Sequence, residues 1–169
     1  RVQLESPILT PARFEALTKL ADDEFASQRI DLNYEPSEGL EGAIRRISDE
    51  AVAAIKGEHT VLVLSDRGIA ADRLPVHALL ATGAVHHRLI REGLRTDANI
   101  VVETATARDP HHNAVLIGYG ATAVFPYLAF ESINDMRRRK QIDVKQADRL
   151  ASNYVKGINK GLKKILSKM

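Results

Sequence analysis

Thr60-Val61-Leu62-Val63-Leu64-Ser65-Asp66-Arg67-Gly68 is the stretch that decides the class of fold. Its first five residues form an unbroken β-branched and apolar run. That is the composition of a strand buried on both faces, as in parallel sheets covered by helices. Ser65-Asp66-Arg67-Gly68 then supplies the polar break at which such a strand ends. Upstream, Leu40, Ile44, Ile47, Ala51 and Ile55 recur at three- and four-residue steps, so they share one face of a helix that Gly57 closes. Downstream, the segment after Pro75 to Gly93 carries a helical pattern, and residues 99–104 repeat the buried-strand pattern. Helix and strand alternating over short links predict right-handed βαβ units.

Further out, residues 2–4 read as a short strand, Ser6-Pro7 as a turn, and Thr10-Pro11 as the N-cap and first residue of a helix over residues 11–20. Residues 29–34 alternate as a half-buried strand does, and Glu35-Pro36-Ser37-Glu38-Gly39 breaks them. Residues 114–118 suit either a strand or a short helix. Residues 126–140 suit a helix, and residues 143–169 a long amphipathic one, with Gly157 as the place for a kink. The expected class is α/β: βαβ units with a mostly parallel sheet, open or forming part of a barrel, plus a long C-terminal helix.

The 169 residues suit one domain, and 44% hydrophobic with 27% charged residues is a globular composition rather than a disordered one. No stretch reaches the roughly 18 apolar residues of a membrane span, and Arg1 opens no signal-peptide pattern, so a cytoplasmic location is expected. The absence of cysteine excludes disulfides, thiolate metal sites, iron–sulfur ligation and cysteine nucleophiles within this stretch. A first residue other than Met, and a helical pattern running to Met169 without a stop, lead to the expectation of a piece of a longer chain. The net charge of +2 is uneven: residues 134–169 hold eleven Lys/Arg against three Asp.

Four groups of residues raise a question of chemistry. Gly118-Tyr119-Gly120-Ala121-Thr122-Ala123 fits the G-x-G-x-x-A pattern, which would make Gly118, Gly120 and Ala123 a pyrophosphate cradle in a small NAD(P)-binding oxidoreductase. Asp143 stands about twenty residues on, where a ribose-holding acid belongs, yet it lies past an Arg-rich turn rather than at a strand end; the competing assignment is a tight turn in a packed loop. His86-His87 and His111-His112, with Glu103 and Asp109 as oxygen donors, suggest metal ligation. Adjacent side chains diverge by about 100° on a helix and oppose each other on a strand, so no metal site is expected. Ser65-Asp66-Arg67-Gly68 occupies the strand end where α/β sheets gather ligands, but with no nucleophile or acid pair beside it the turn-organising role is preferred and no catalytic residue is assigned. The basic run Arg137-Arg138-Arg139-Lys140 and the lysines beyond would serve a nucleic-acid-binding module. Against that, Ala147, Leu150, Ala151, Tyr154, Ile158, Leu162 and Ile165 form an apolar stripe, making the lysines the solvated face of a packed helix.

The run His86-His87-Arg88-Leu89-Ile90-Arg91-Glu92-Gly93-Leu94-Arg95, then Asn99-Ile100-Val101-Val102-Glu103-Thr104, His111-His112, Ile117-Gly118-Tyr119-Gly120-Ala121 and Pro126-Tyr127-Leu128-Ala129, resembles the central domain of glutamate synthase. Leu4-Glu5-Ser6-Pro7-Ile8-Leu9, Leu64-Ser65-Asp66-Arg67 and Asn153-Tyr154-Val155-Lys156-Gly157-Ile158-Asn159-Lys160-Gly161-Leu162 resemble it too, so essentially the whole chain is covered. The resemblance implies a parent that makes two glutamates from glutamine and 2-oxoglutarate, with a cysteine glutaminase, an FMN barrel, a three-iron four-sulfur cluster, an ammonia tunnel, and NAD(P)H or ferredoxin as electron donor. Residues 1–140 would then be part of the central domain and residues 141–169 a connecting helix into the FMN-binding domain. No cofactor, catalytic residue or metal is expected in this segment. Its partners would be the glutaminase and FMN domains of the same chain, with a small subunit or ferredoxin beyond them, and no nucleic acid or membrane. The implied location is the cytoplasm, or the plastid for a plant-type parent. Gly118 and Gly120 would be a structural turn, and His111 and His112 would join the domain to its neighbours.

Overall fold

Four parallel strands lie side by side in the order in which the chain makes them: β1 (Ser27–Asp31), β3 (Val61–Ser65), β5 (Asn99–Glu103) and β6 (Ala123–Phe125). This computed structural model describes residues 3–20 and 25–168. Six helices flank the sheet among those residues: α1 (Pro11–Thr18), α2 (Gly39–Lys56), α3 (Ala78–Arg91), α4 (Pro110–Gly118), α5 (Tyr127–Arg138) and α6 (Val144–Leu166). A small antiparallel ribbon pairs β2 (Asn33–Tyr34) with β4 (Leu74–Pro75). The sheet is open. At its β6 edge the chain around Ile8 adds one parallel bridge to Val124, and the Val124 amide donates to the Pro7 carbonyl at 2.8 Å.

Alternation along the strands sorts the core into two layers. Ile30, Leu64, Val102 and Val124 stand in register and, with Leu62 and Ile100, pack against Ile47 and Ala51 of α2, Val85 and Leu89 of α3 and Leu116 of α4. Val61, Val63, Val101, Ala123 and Phe125 face the other way, onto Phe14 and Leu17 of α1 and Phe130 of α5. Phe14 stacks on Phe125 at 4.4 Å between ring centroids. Each fully buried Leu, Ile, Val or Phe contributes about 1.5–3 kcal/mol, so β3, buried along its whole length, anchors both layers. Helix α6 sends Ile158 and Leu162 into the first layer and lays Ala151 against the second. Its start is a capping box, with Asp143 accepting from the Gln146 amide and Gln146 accepting from the Asp143 amide.

The α/β class, the mostly parallel sheet and the long C-terminal helix are as the sequence implied. Several details differ. Residues 29–34 are not one strand: the chain leaves the sheet after Asp31 because Asn33 turns back, its amide donating to Asp31 Oδ1 at 2.9 Å, and β2 joins β4 instead. Pro75 is thereby held in that ribbon, so α3 begins only at Ala78. Residues 114–118 are helical, in a helix that starts at Pro110 with Asp109 as its N-cap. Helix α1 stops at Thr18, and α6 continues through Gly157 without interruption. Gln3 and Leu4 are not in a strand, while Val2 and Met169 lie outside the described residues. Along the α6 stripe Ala147, Ile158 and Leu162 are buried but Leu150 is exposed.

Candidate functional site

Register carries a polar row onto the carboxyl end of an otherwise apolar sheet face. Asp31 stands beside Ser65, Ser65 beside Glu103, and Glu103 beside Phe125, all one step past Val63 and Val101 on the same side. Glu103 is 1% exposed. A carboxylate so buried is tolerable only when paired and hydrogen-bonded, and three donors reach it. Arg29 Nη2 lies 2.7 Å from Oε2, Ser65 Oγ donates to Oε2 at 2.6 Å, and Arg67 Nε donates to Oε1 at 2.8 Å. Arg67 goes further: its Nη1 donates to Glu131 of α5 at 2.7 Å, and its guanidinium carbon sits 4.2 Å above the Tyr127 ring. Burial pulls the Arg67 guanidinium down, but the bonds to Glu131 and Glu103 outweigh that and leave it above its ordinary value.

Asp66 is 2% exposed and ties the next loop in. Its Oδ2 accepts from Thr104 Oγ1 at 2.5 Å, and the Ala105 amide donates to both carboxylate oxygens, at 3.1 and 3.2 Å. Burial, and then the Asp66 charge, push the Tyr127 phenol well above its ordinary value, so it stays protonated. On the far side Arg73 Nη2 donates to Asp31 Oδ2 at 2.8 Å. Burial raises the Asp31 carboxyl, but the Asn33 amide and the Arg73 guanidinium reverse this and hold it below its usual range. The row thus holds two groups of ion pairs, Arg73 with Asp31 and Arg29, Glu103, Arg67 and Glu131 together, which Asn33 bridges by donating to Asp31 Oδ1 at 2.7 Å and to the Arg67 carbonyl at 3.1 Å. Its chemistry is that of a clamp: each buried carboxylate is already met by protein donors, which locks the ends of β1, β3 and β5 to each other and to α5.

The other residues singled out in the sequence fall elsewhere. Gly118 ends α4, Gly120 has φ +112° in the turn after it, and Ala123 opens β6. The order is therefore helix, turn, strand, the reverse of a dinucleotide fingerprint, in which the glycines precede a helix. A Cβ on Gly120 would sit 2.3 Å from His86 Nδ1, so the glycine serves a close packing contact. That nitrogen accepts from Arg95 Nε at 2.9 Å, and Arg95 Nη2 donates to the Gly120 carbonyl at 2.8 Å. His86 and His87 stand edge to face at 5.3 Å, while His112 lies at the start of α4, its amide capped by Asp109 at 2.8 Å. Among the described residues no three His, Asp or Glu side chains gather as a metal site, and no helix is long and apolar enough to cross a membrane.

All of residues 1–169 match the model of the glutamate synthase central domain. The chain belongs to that family. This glutamate synthase central domain is 43% identical to the glutamate synthase [NADPH] large chain of Azospirillum brasilense, over 99% of this chain and 11% of the relative. It is 38% identical to the large chain of Bacillus subtilis, over 100% of this chain and 11% of that one. It is also 40% identical to the chloroplastic ferredoxin-dependent glutamate synthase of Oryza sativa, with 100% and 11% covered. The domain therefore spans about a tenth of the length of these relatives.

Of the clamp, sequence reasoning found Ser65, Asp66 and Arg67 by position, and noticed Glu103 only as an oxygen donor for a metal. It missed Arg29, Tyr127 and Glu131. One signal was present: a Glu closing a buried apolar strand requires a cation, and Arg29 sits on the strand two places over.

Proposed function

We propose that this domain is the connector of a glutamate synthase, a rigid piece that joins a glutaminase domain to a flavin-binding synthase domain and helps shape the ammonia passage between them. The observation that carries the proposal is the match of the whole chain to a domain that makes up 11% of much longer enzymes named for this activity. The parent reaction would convert glutamine and 2-oxoglutarate to two glutamates. The clamp supports a structural part in it, because Glu103 and Asp66 occupy the ligand-gathering end of the sheet and are already bonded within the protein.

The iron–sulfur cluster and FMN implied by the family would be held by other parts of the polypeptide. A cluster does not fit the residues here, since the chain has no cysteine, and the only glycine pair of the dinucleotide kind lies at a helix C-terminus. Relatives named for NADPH and for ferredoxin match this stretch alike, so the electron donor would be chosen elsewhere. Residues 1–140 would form the connector proper and residues 141–169 lead toward the flavin domain, with His111 and His112 at a contact to a neighbour. The parent would work in the cytoplasm or a plastid, with a small subunit or ferredoxin as an outside partner.

The test is glutamate formation by the full polypeptide that contains these residues, supplied with glutamine, 2-oxoglutarate and an electron donor. Glutamate made at the expense of both substrates is expected. Glutamine hydrolysis without reductive glutamate formation, or neither, would remove the proposal. His111→Ala with His112→Ala is expected to weaken glutamine-dependent turnover; unchanged turnover and stability would remove those two residues from any contact.

A further inference from the structure

An open groove of about 790 Å³ runs along the crevice between α2 and α3, on the side away from the sheet. Leu80, Ala84, His87 and Arg91 follow one another at three- and four-residue steps, with Gly83 beside Ala84, so they form a single stripe down α3. Along α3 its first half is apolar: Leu80, 45% exposed, and Tyr119, 53% exposed, line it with Ile44 of α2, while Glu41 and Arg45 of α2, which line the groove as well, are paired with each other at 3.1 Å. Gly83 makes room for the Tyr119 ring, since a Cβ there would lie 3.1 Å from Tyr119 Cδ1. The second half is cationic. Arg88 is engaged by Asp49 and Glu92, but Arg91 has no ion-pair partner among the described residues, and His87 lies beside it on the stripe.

We infer that this groove seats a segment of the same parent polypeptide from outside residues 1–169, one that presents apolar side chains at the Leu80–Tyr119 end and a carboxylate at the Arg91 end. The inference rests on the connector function proposed above. Two observations select this occupant. The stretch is 11% of the length of its A. brasilense relative, so a polypeptide of that kind has most of its chain available to cover the groove. The charge gradient along α3 then fixes what the segment must carry and which way it lies, since exposed Leu and Tyr at one end and an unpaired Arg at the other is the composition of an interface core leading to its rim. The groove can take about three to four helical turns of occupant, as α3 is about 21 Å long at 1.5 Å per residue and 5.4 Å per turn.

The experiment places a photoreactive benzophenone amino acid at Leu80 in the full polypeptide, irradiates it, and maps the cross-linked peptide by mass spectrometry. Heavy- and light-isotope copies are mixed to separate contacts within a chain from contacts between chains. Expected is one peptide from outside residues 1–169 of the same chain, with Asp or Glu within a few residues of the cross-link. Its yield should fall roughly fivefold in Arg91→Glu, as an attraction becomes a repulsion. Reaction with solvent alone, with residues 1–169 themselves, or with a second copy would each overturn the inference. Glutamate synthesis measured on the same preparation without the probe keeps the two ideas apart. An active enzyme with no such cross-link removes the groove's occupant and leaves the connector, whereas the cross-link in a polypeptide that makes no glutamate does the reverse.

Discussion

Arg67 Nε and Glu103 Oε1 meet at 2.8 Å where β3 and β5 end, the carboxylate sealed from water and the guanidinium still 40% exposed. The asymmetry decides what each residue is worth. Arg67 stripped of Glu103 turns to solvent at little cost, whereas Glu103 stripped of Arg67 keeps a buried charge with fewer donors.

Glu103→Gln should still destabilise the protein by about 2 kcal/mol through the charge-assisted hydrogen bonds it loses, less than the 3–5 kcal/mol typical of a fully buried pair, because both arginines reach water. Arg67→Ala should cost at least as much, since it also releases Glu131 and Tyr127. Urea unfolding of the two variants and their combination checks this. A coupling near zero in that cycle would contradict the clamp.

The two glycines of the nucleotide-like pattern should part company. Gly118→Ala has nothing within 4 Å of its new Cβ and ends a helix, so stability should change by no more than about 0.5 kcal/mol. Gly120→Ala combines φ +112° with a contact at 2.3 Å to His86 and should cost about 3 kcal/mol or more. A thermal-shift titration with NAD separates this from phosphate binding: a saturable rise would make the pair a cradle.

His86 gives the fold a pH dependence. Burial first, and the Arg95 charge next, hold its imidazole below the ordinary 6.5, in keeping with the lone pair it offers to Arg95 Nε. The unfolded chain takes up the proton first, so this contribution is complete above about pH 6.5 and is lost as pH falls toward the lower folded value. The melting temperature of wild type minus that of His86→Gln, followed from pH 8 to pH 5, should shrink. A difference that is flat or grows on acidification would contradict the geometry.

Within α6, Gly157→Ala should stabilise by about 1 kcal/mol, because its Cβ meets open space in the middle of a helix. Gly161→Ala should destabilise by about 2 kcal/mol, since its Cβ would come within 2.4 Å of the rigid Pro110 ring at the start of α4. Calorimetry of both variants distinguishes a docked α6 from a free one; equal gains would mean that α6 does not pack on α4.

What the sequence made legible was local and strongly patterned. The run ending at Leu64 and the apolar stripe of α2 were visible because burial on both faces, or on one helical face, writes itself into consecutive residues. The three residues of β6 and the two-residue pieces β2 and β4 were too short to carry a period, and they exist because neighbouring strands or loops offer them partners. The site divides in the same way. Ser65, Asp66 and Arg67 follow a recognisable strand, but the partners of Arg67 lie 36 and 64 residues away, and only register brings Glu103 and Glu131 to it.

The central claim is a rigid connector between two reactions, and the most direct measurement is the ratio of glutamate formed to glutamine hydrolysed by the full polypeptide, in wild type and in Glu103→Gln. The connector account requires a ratio close to two in wild type, and in the variant a lower ratio with free ammonia appearing while glutamine hydrolysis persists. An unchanged ratio in a variant shown by urea unfolding to be loosened would contradict it.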